Sequence, residues 1–396
     1  MKKIAIIALA WSVLGLSSVM AESMVVSKVS DDLSKVNLNS KVWQGVKEYY
    51  FIAYPQTAIE VIDADVMKLN AENKAKKIMV KALSDGKNIA FLLKWKDASN
   101  SVQKGYSSTA FGDGFAVQLP VNLDSLPYIG MGSAGRPVIV HLQKATGITY
   151  EPNGNGDVYH QVNSGNQNAY GKDLKAYTED VAKLGNGNYQ RSFISEGFRS
   201  LTQIRDGSED AKMQMHYAKG VWTGIIVRKL KSANLDLTKG VFPVAFAFWD
   251  GDKKNRDGAK VLSQWLEVRE KGSAAKLAYL DEMTQGDAKH GEQVMLENCA
   301  SCHQYKEVKN APSFMAPNLS NIGGYSNASY LVESIINPSA VVVPGYNTQA
   351  HPSYPWYTID DKGVRTSMMP PFDGLDQKSL EDVVAFLKTL KAEVSQ

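Results

Sequence analysis

The sequence predicts a chain of β plus α class: an N-terminal antiparallel β-sandwich followed by a small all-α domain. Three observations predict it. Up to about residue 270, short apolar and β-branched runs alternate with Gly, Asn, Asp and Pro turns. Beyond about residue 286, apolar residues recur at helical spacing between Pro/Asn/Gly loops. Both cysteines of the chain, Cys299 and Cys302, fall in "LENCASCHQY" within that second part.

The chain opens on "MKKIAIIALAWSVLGLSSVMAES". Lys2 and Lys3 precede an apolar run from Ile4 to Leu16, and Val19-Met20-Ala21 is a small-residue cleavage site. Residues 1–21 read as a secretory signal peptide, with an uncleaved anchor as the alternative. No later stretch is long and apolar enough to span a bilayer, so a periplasmic location is expected. Removing two lysines and no acid takes the formal charge from +3 to +1. The product is not a polyelectrolyte, and nucleic acid is excluded as an expected partner. The 396 residues and 44% hydrophobic content suit a globular chain of two or three domains.

Residues 22–270 are read as the sandwich. "KIMVKALSDGKNIAFLLKWKDA" is strand, Asp-Gly turn, strand, with Leu92 and Leu93 in a buried run. "GDGFAVQLPV", "RPVIVHLQKA", "KGVWTGIIVRKL" and "GVFPVAFAFWDG" continue the pattern. In the last of these Val244, Phe246 and Phe248 alternate with alanines, so one strand face is bulky and the other small. Residues 144–215 are Gly/Asn-rich and read as long loops. No repeat at solenoid or propeller spacing, glycine-rich phosphate loop, H-E-x-x-H or G-x-S-x-G is present. The acids and Asn255 of "WDGDKKNRDG" have the wrong spacing for a calcium loop.

Residues 271–285 are a linker, and 286–396 form the all-α domain. "GDAKHGEQVMLENCASCH" is a helix leading into C-x-x-C-H, with Val294 and Leu296 toward the apolar side and Gly291 at a contact position. "YLVESIINPSAVVVPGY" is a helix ended by Pro338, and "DQKSLEDVVAFLKTLKAE" a final helix with Val383, Val384, Phe386, Leu387 and Leu390 as its stripe. C-x-x-C-H is the attachment signature of one covalent haem c. Two thioethers from Cys299 and Cys302 tie the macrocycle to a helical turn, and His303 reaches the iron.

Over residues 286–394 this part resembles a class I monohaem cytochrome c, on its haem motif, its "SMMPPFDGL" loop and its terminal helix. The resemblance implies a loop methionine as sixth ligand: Met369, with Met368 and His351 as rivals. Histidine–methionine ligation in a closed site implies electron transfer rather than oxygen activation.

Two further stretches, "LPYIGMGSAGRPVIVHLQKA" and "FAFWDGDKKNRDGAKVLSQWLEV", resemble the haem b-binding subunit of the ethylbenzene dehydrogenase type. These are electron-transfer subunits of type II molybdenum enzymes of the dimethyl sulfoxide reductase family. The resemblance implies one non-covalent haem b held by Met131 and Lys260, with His141, His160 and His216 as alternatives. "VIVHLQKA" departs from the tryptophan-bearing strand common in that family, which makes His141 the first rival. It implies as partners a molybdopterin catalytic subunit, an iron–sulfur subunit, and a soluble periplasmic or membrane quinone-linked cytochrome. The expected function is a dihaem electron-transfer subunit without catalysis of its own. The second reading is a carbohydrate-binding-like sandwich fused to a monohaem cytochrome c.

Overall fold

The computed structural model describes residues 23–395, apart from 60, 62, 72, 104–109, 146–187, 199, 205–209, 274, 276, 281–285, 344, 346, 348 and 349. The expected signal peptide, most of residues 144–215 and His160 lie outside the described residues, and the described part of 144–215 is largely strand rather than the expected long loops. Among the described residues no helix is long and apolar enough to cross a membrane.

Among the described residues thirteen strands build the N-terminal part: β1 (Ser23–Lys28), β2 (Tyr49–Pro55), β3 (Lys76–Ser84), β4 (Asn88–Lys96), β5 (Gly114–Pro120), β6 (Val138–Ala145), β7 (Asn188–Ser195), β8 (Thr202–Gln203), β9 (Ala211–Ala218), β10 (Val221–Lys229), β11 (Val241–Trp249), β12 (Val261–Leu262) and β13 (Leu266–Glu270). A short helix α1 (Ala64–Ala71), absent from the sequence reading, follows β2. The strands run β8-β7-β6-β5-β11-β12-β2-β3-β4-β10-β9. The sheet folds over at β2, whose Tyr49–Ala53 pair with β3 while Tyr54 and Pro55 pair with β12. Two layers result, here called the β3 sheet and the β11 sheet.

Bulky alternate residues meet between the layers. Phe91 of β4 lies 5.8 Å from Phe246 of β11, and Trp95 lies 4.9 Å from Phe248 and 5.7 Å from Phe115. The bulky face of β11 therefore points inward, as its alternation predicts. The antiparallel expectation fails at one strand. β1 runs parallel to both β13 and β3. It joins them across long connections, so no hairpin dictates the antiparallel sense.

The small face of β11 is covered too. Ala116, Ala245, Ala247, Val140, Leu142, Trp249 and Leu262 form one buried cluster with the C-terminal helices. Burial on both faces explains why "VFPVAFAFW" reads as a continuous apolar run.

The C-terminal part holds α2 (Ala288–Asn298), α3 (Ile322–Tyr325), α4 (Ala328–Ile336) and α5 (Gln377–Thr389). Asp287 caps α2 by accepting from the Lys289 amide at 2.9 Å, and Asp376 caps α5 by accepting from Ser379 at 2.8 Å. α2 and α5 cross at Gly291, where a Cβ would stand 1.9 Å from the Asp382 carbonyl oxygen. Only glycine permits that approach. Met295, not Leu296, completes the buried side of α2, and Leu296 is exposed. The all-α expectation is also corrected by a hairpin, β14 (Tyr357–Ile359) with β15 (Arg365–Ser367). Asp360 closes its turn by accepting from the Lys362 and Val364 amides, and Gly363 takes φ +81°.

The two parts are docked. Arg136 makes a two-pronged ion pair with Glu333, both contacts 2.7 Å. Asn327 accepts from the Trp265 amide at 3.1 Å and donates to its carbonyl at 3.2 Å. The chain end returns to the sandwich, with Ala75 bridging Val394. The Pro55–Ala58 segment after β2 also reaches the helices: Thr57 Oγ1 donates to the Asn318 carbonyl at 3.0 Å, and Asn321 Nδ2 donates to the Pro55 carbonyl at 3.1 Å.

Candidate cofactor sites

The first site starts where α2 ends. The Cys302 and His303 amides both donate to the Cys299 carbonyl, at 3.1 and 2.9 Å. This extra turn brings both sulfurs and the imidazole to one wall of a cavity of about 450 Å³. Both thiols are free. Burial pushes the Cys299 thiol up to about 11. His303 Nδ1 lies 2.8 Å from the Pro317 carbonyl oxygen. A carbonyl only accepts, so Nδ1 carries the proton and Nε2 keeps its lone pair. Burial also holds this imidazole below its usual pKa.

Leu331, Ile335, Val341, Val342, Trp356 and Phe372 supply apolar lining. Met368 and Met369 also line the cavity. Met369 is half-buried, with its amide donating to Ser367 Oγ at 3.1 Å, whereas Met368 is 56% exposed. His351 is exposed, sits against Phe314 at 5.1 Å, and is not part of the lining. The sequence reading did not place Met315, or Ala58 from the sandwich, in this lining. The cavity presents two thiols, one imidazole lone pair and a thioether in an apolar enclosure. That donor set fits a covalently attached haem.

The second site lies on the small face of β11. In register, Ala245 is flanked by Gln118 and Val140, Ala247 by Ala116 and Leu142, and Trp249 by Gly114 and Lys144. Leu262 of β12 pairs with Ala247. Lys260 directly precedes β12, and its Nζ lies 5.2 Å from the centre of the ring of Trp249, which belongs to the cluster on this side of the sheet. Lys260 is 4% exposed. Among the described residues it has no hydrogen-bond partner and no carboxylate within ion-pair distance. Burial pulls its pKa down to about 8, and Asp257 only partly opposes the shift.

Met131 occupies the loop between β5 and β6. Gln118 Nε2 donates to the Ile129 carbonyl at 3.0 Å, and Trp265 Nε1 to the Pro127 carbonyl at 2.9 Å. These bonds pin the loop over the Gln118 row. The Met131 carbonyl accepts from the Gly197 amide at 2.8 Å. Met131 takes φ +75°, left-handed for a residue with a Cβ, at a cost of about 1–2 kcal/mol. Two residues on, the buried Ser133 hydroxyl has no hydrogen-bond partner among the described residues. The Gln118 and Gly114 rows are four residues apart on β5, about 13 Å. Met131 and Lys260 thus stand at opposite ends of an alanine floor made by Ala116, Ala245 and Ala247. A buried amine without an anion, a strained thioether loop and a floor of small side chains fit a planar macrocycle whose metal takes nitrogen and sulfur.

The histidine rivals point elsewhere. His141 pairs with Val117, whose side chain belongs to the core between the sheets. Its Nδ1 lies 2.8 Å from Ser192 Oγ, and burial drives its pKa well below the usual range. His216 is exposed on β9. Asp250 of the calcium-like stretch joins Asp97 and Asp113 in a buried acidic cluster. Lys76 already fills it, 2.9 Å from Asp250 and 3.1 Å from Asp97.

The first site is thus an apolar cavity with two thiols and an imidazole on its wall, and the second a buried lysine and a left-handed methionine loop beside the small face of β11. Residues 40–261, more than half of the chain, match the family described as ethylbenzene dehydrogenase, and the protein belongs to that family. Residues 288–391 match the family described as cytochrome c. The C-terminal part is therefore a cytochrome c domain, which carries covalent haem c. A protein of Haloferax mediterranei, provisionally named a respiratory nitrate reductase haem subunit, is 26% identical over 159 residues. The match covers 39% of this chain and 42% of that protein, so the chain spans less than half the relative's length. A carbohydrate-binding module of family 9 from Caldicellulosiruptor kristjanssonii, solved with cellotriose, has a TM-score of 0.30 and 9% identity over 64% of this chain and 95% of the module. A carbohydrate-binding protein of Bacteroides uniformis, so designated provisionally, has a TM-score of 0.31 and 9% identity over 63% of this chain and 99% of its own. Among the described residues no aromatic side chain of the sandwich is exposed.

Proposed function

We propose that this protein is a periplasmic dihaem electron-transfer subunit of a molybdenum oxidoreductase complex. Cys299 and Cys302 form the thioethers of haem c, and His303 Nε2 and the Met369 sulfur are its iron ligands. Met131 and Lys260 hold a non-covalent haem b. When bound, the two groups supply one-electron chemistry. The chain's own residues bind, orient and exclude water. Pro317 fixes the His303 tautomer. The Gln118 and Trp265 bonds hold the Met131 loop. Burial beside Trp249 lowers the cost of losing the Lys260 proton. With residues 1–21 removed as a signal peptide, both domains would work outside the cytoplasm.

The observation that carries the reading is Lys260: a buried amine with no carboxylate within ion-pair distance among the described residues, on the same sheet face as a strained methionine loop. The partners follow from the family and from the name of the haloarchaeal relative. They are a molybdopterin catalytic subunit, an iron–sulfur subunit, and a soluble periplasmic or quinone-linked membrane cytochrome as the other redox partner. Two six-coordinate sites suit relay and not substrate chemistry, so catalysis is assigned to the molybdopterin subunit.

Carbon monoxide addition to the dithionite-reduced holoprotein tests the relay assignment. Both haem spectra should stay unchanged, because neither iron has an open position. Rapid carbon monoxide binding at either haem would reject it. Affinity isolation of the full chain from its own cells should recover molybdenum and iron–sulfur polypeptides in stoichiometric amounts, and recovery of the chain alone would reject the partners.

A further inference from the structure

Lys260 and His303 belong to different domains, yet a short run of bonds joins them. The Lys260 carbonyl accepts from the Gln56 amide at 3.0 Å. Gln56 is covalently followed by Thr57, whose Oγ1 donates to the Asn318 carbonyl at 3.0 Å. Asn318 is covalently preceded by Pro317, whose carbonyl takes the Nδ1 proton of His303 at 2.8 Å. Three hydrogen bonds and two stretches of covalent chain thus connect the two residues assigned above as iron ligands.

The segment is held rigidly. Gln56 is buried, and its amide group makes three bonds. Nε2 donates to the Ile59 and Gly258 carbonyls, both at 2.9 Å, and Oε1 accepts from the Ile59 amide at 2.6 Å. The Gly258 bond ties the segment to the loop that carries Lys260. On the other side Ala58, 4% exposed, forms part of the wall of the Cys299–His303 cavity. The segment therefore touches both sites and is fixed to each.

We propose that Gln56–Thr57–Ala58 is the electronic bridge between the two cofactor sites, with the Thr57 hydroxyl as the positioning residue that closes it. This rests on the two-haem reading above. The transfer moves one electron from the reduced iron of one site to the oxidised iron of the other. No proton moves, and the three hydrogen bonds are the same before and after. Thr57 touches neither iron. It acts by replacing a through-space gap between the domains with a bonded contact.

The test is the rate at which one electron redistributes between the two sites of the full dihaem protein. A pulse-radiolysis reductant introduces the electron, and the separate b and c absorption bands follow it. Thr57→Val keeps the shape and removes the hydroxyl, and redistribution should slow severalfold. Thr57→Ser restores the donor and should restore the rate. Ser329→Ala removes another docking bond of the cytochrome domain, from Ser329 Oγ to the Tyr279 carbonyl of the linker at 2.5 Å, and should leave the rate unchanged. Haem content and both potentials should be the same in all four proteins. If Thr57→Val does not fold, Thr57→Ala removes the same donor with less strain and carries the same expectation. An unchanged rate in a Thr57 variant with both haems present overturns the bridge, as does equal slowing by Ser329→Ala, which would reduce Thr57 to docking. Slowing accompanied by a shifted potential overturns it as well, because the ligands themselves would have moved. A protein with haem c alone fails the two-haem reading instead, and is distinguished at once by its spectrum.

Discussion

Replacing Lys260 by leucine should remove haem b and at the same time make the haem b-free protein more stable. In the fold, burial lowers the amine from 10.5 to about 8. For a solvated lysine, neutrality at pH 7 would cost about 5 kcal/mol, and here it costs about 1.4 kcal/mol, at 1.36 kcal/mol per pKa unit. The difference, about 3 kcal/mol, is a burial penalty that the protein without haem b bears when the ammonium is charged. Because the folded pKa lies below the unfolded one, the unfolded chain binds more protons between about pH 8 and 10.5, and stability rises with pH across that window. Lys260→Leu should therefore be more stable than wild type by up to about 3 kcal/mol at pH 7. The gap should close as pH approaches 10.5. The assay is urea unfolding of the sandwich at several pH values, with haem b withdrawn from wild type by excess apomyoglobin. A Lys260→Leu variant that keeps haem b with an unchanged low-spin spectrum would refute the ligand. One whose stability difference does not vary with pH would refute the buried-amine argument.

The other outcomes are more direct. Cys299→Ala with Cys302→Ala should abolish haem staining on denaturing gels, since both thioether positions are lost. Met369→Ala should lose the long-wavelength sulfur–iron band of oxidised haem c and lower its potential, while Met368→Ala keeps both; the reverse pattern would move the ligand to Met368. Gly291→Ala should cost about 1–3 kcal/mol in the unfolding of the cytochrome domain, because its Cβ has no room beside the Asp382 carbonyl; a melt within error of wild type would contradict the crossing.

What could be read from the sequence was what is local. Cys299, Cys302 and His303 are legible because covalent attachment needs them within one helical turn. The inward face of β11 is legible because strand periodicity is two. Lys260 and Met131 were singled out only through family resemblance: nothing in "DGAKVLSQ" marks a buried amine, since its burial depends on residues distant in sequence such as Trp249. Ala58 and Thr57 were missed for a related reason. Thr57 meets Asn318 across 261 positions of chain, and one alanine or threonine in a turn carries no pattern. The parallel seat of β1 and the β14–β15 hairpin were missed because each is short and its pairing is set by neighbours. His141 looked like a ligand beside the Met131 loop, but strand alternation turns it to the opposite face of the sheet.

The central claim is that one chain holds two haems of different attachment. A pyridine haemochrome spectrum of the purified full-length protein, taken before and after acid–acetone extraction, measures it directly. The account predicts equal amounts of b- and c-type haem before extraction, with all of the b-type and none of the c-type removed by the solvent. A spectrum of c-type haem alone, with nothing extracted, would contradict it.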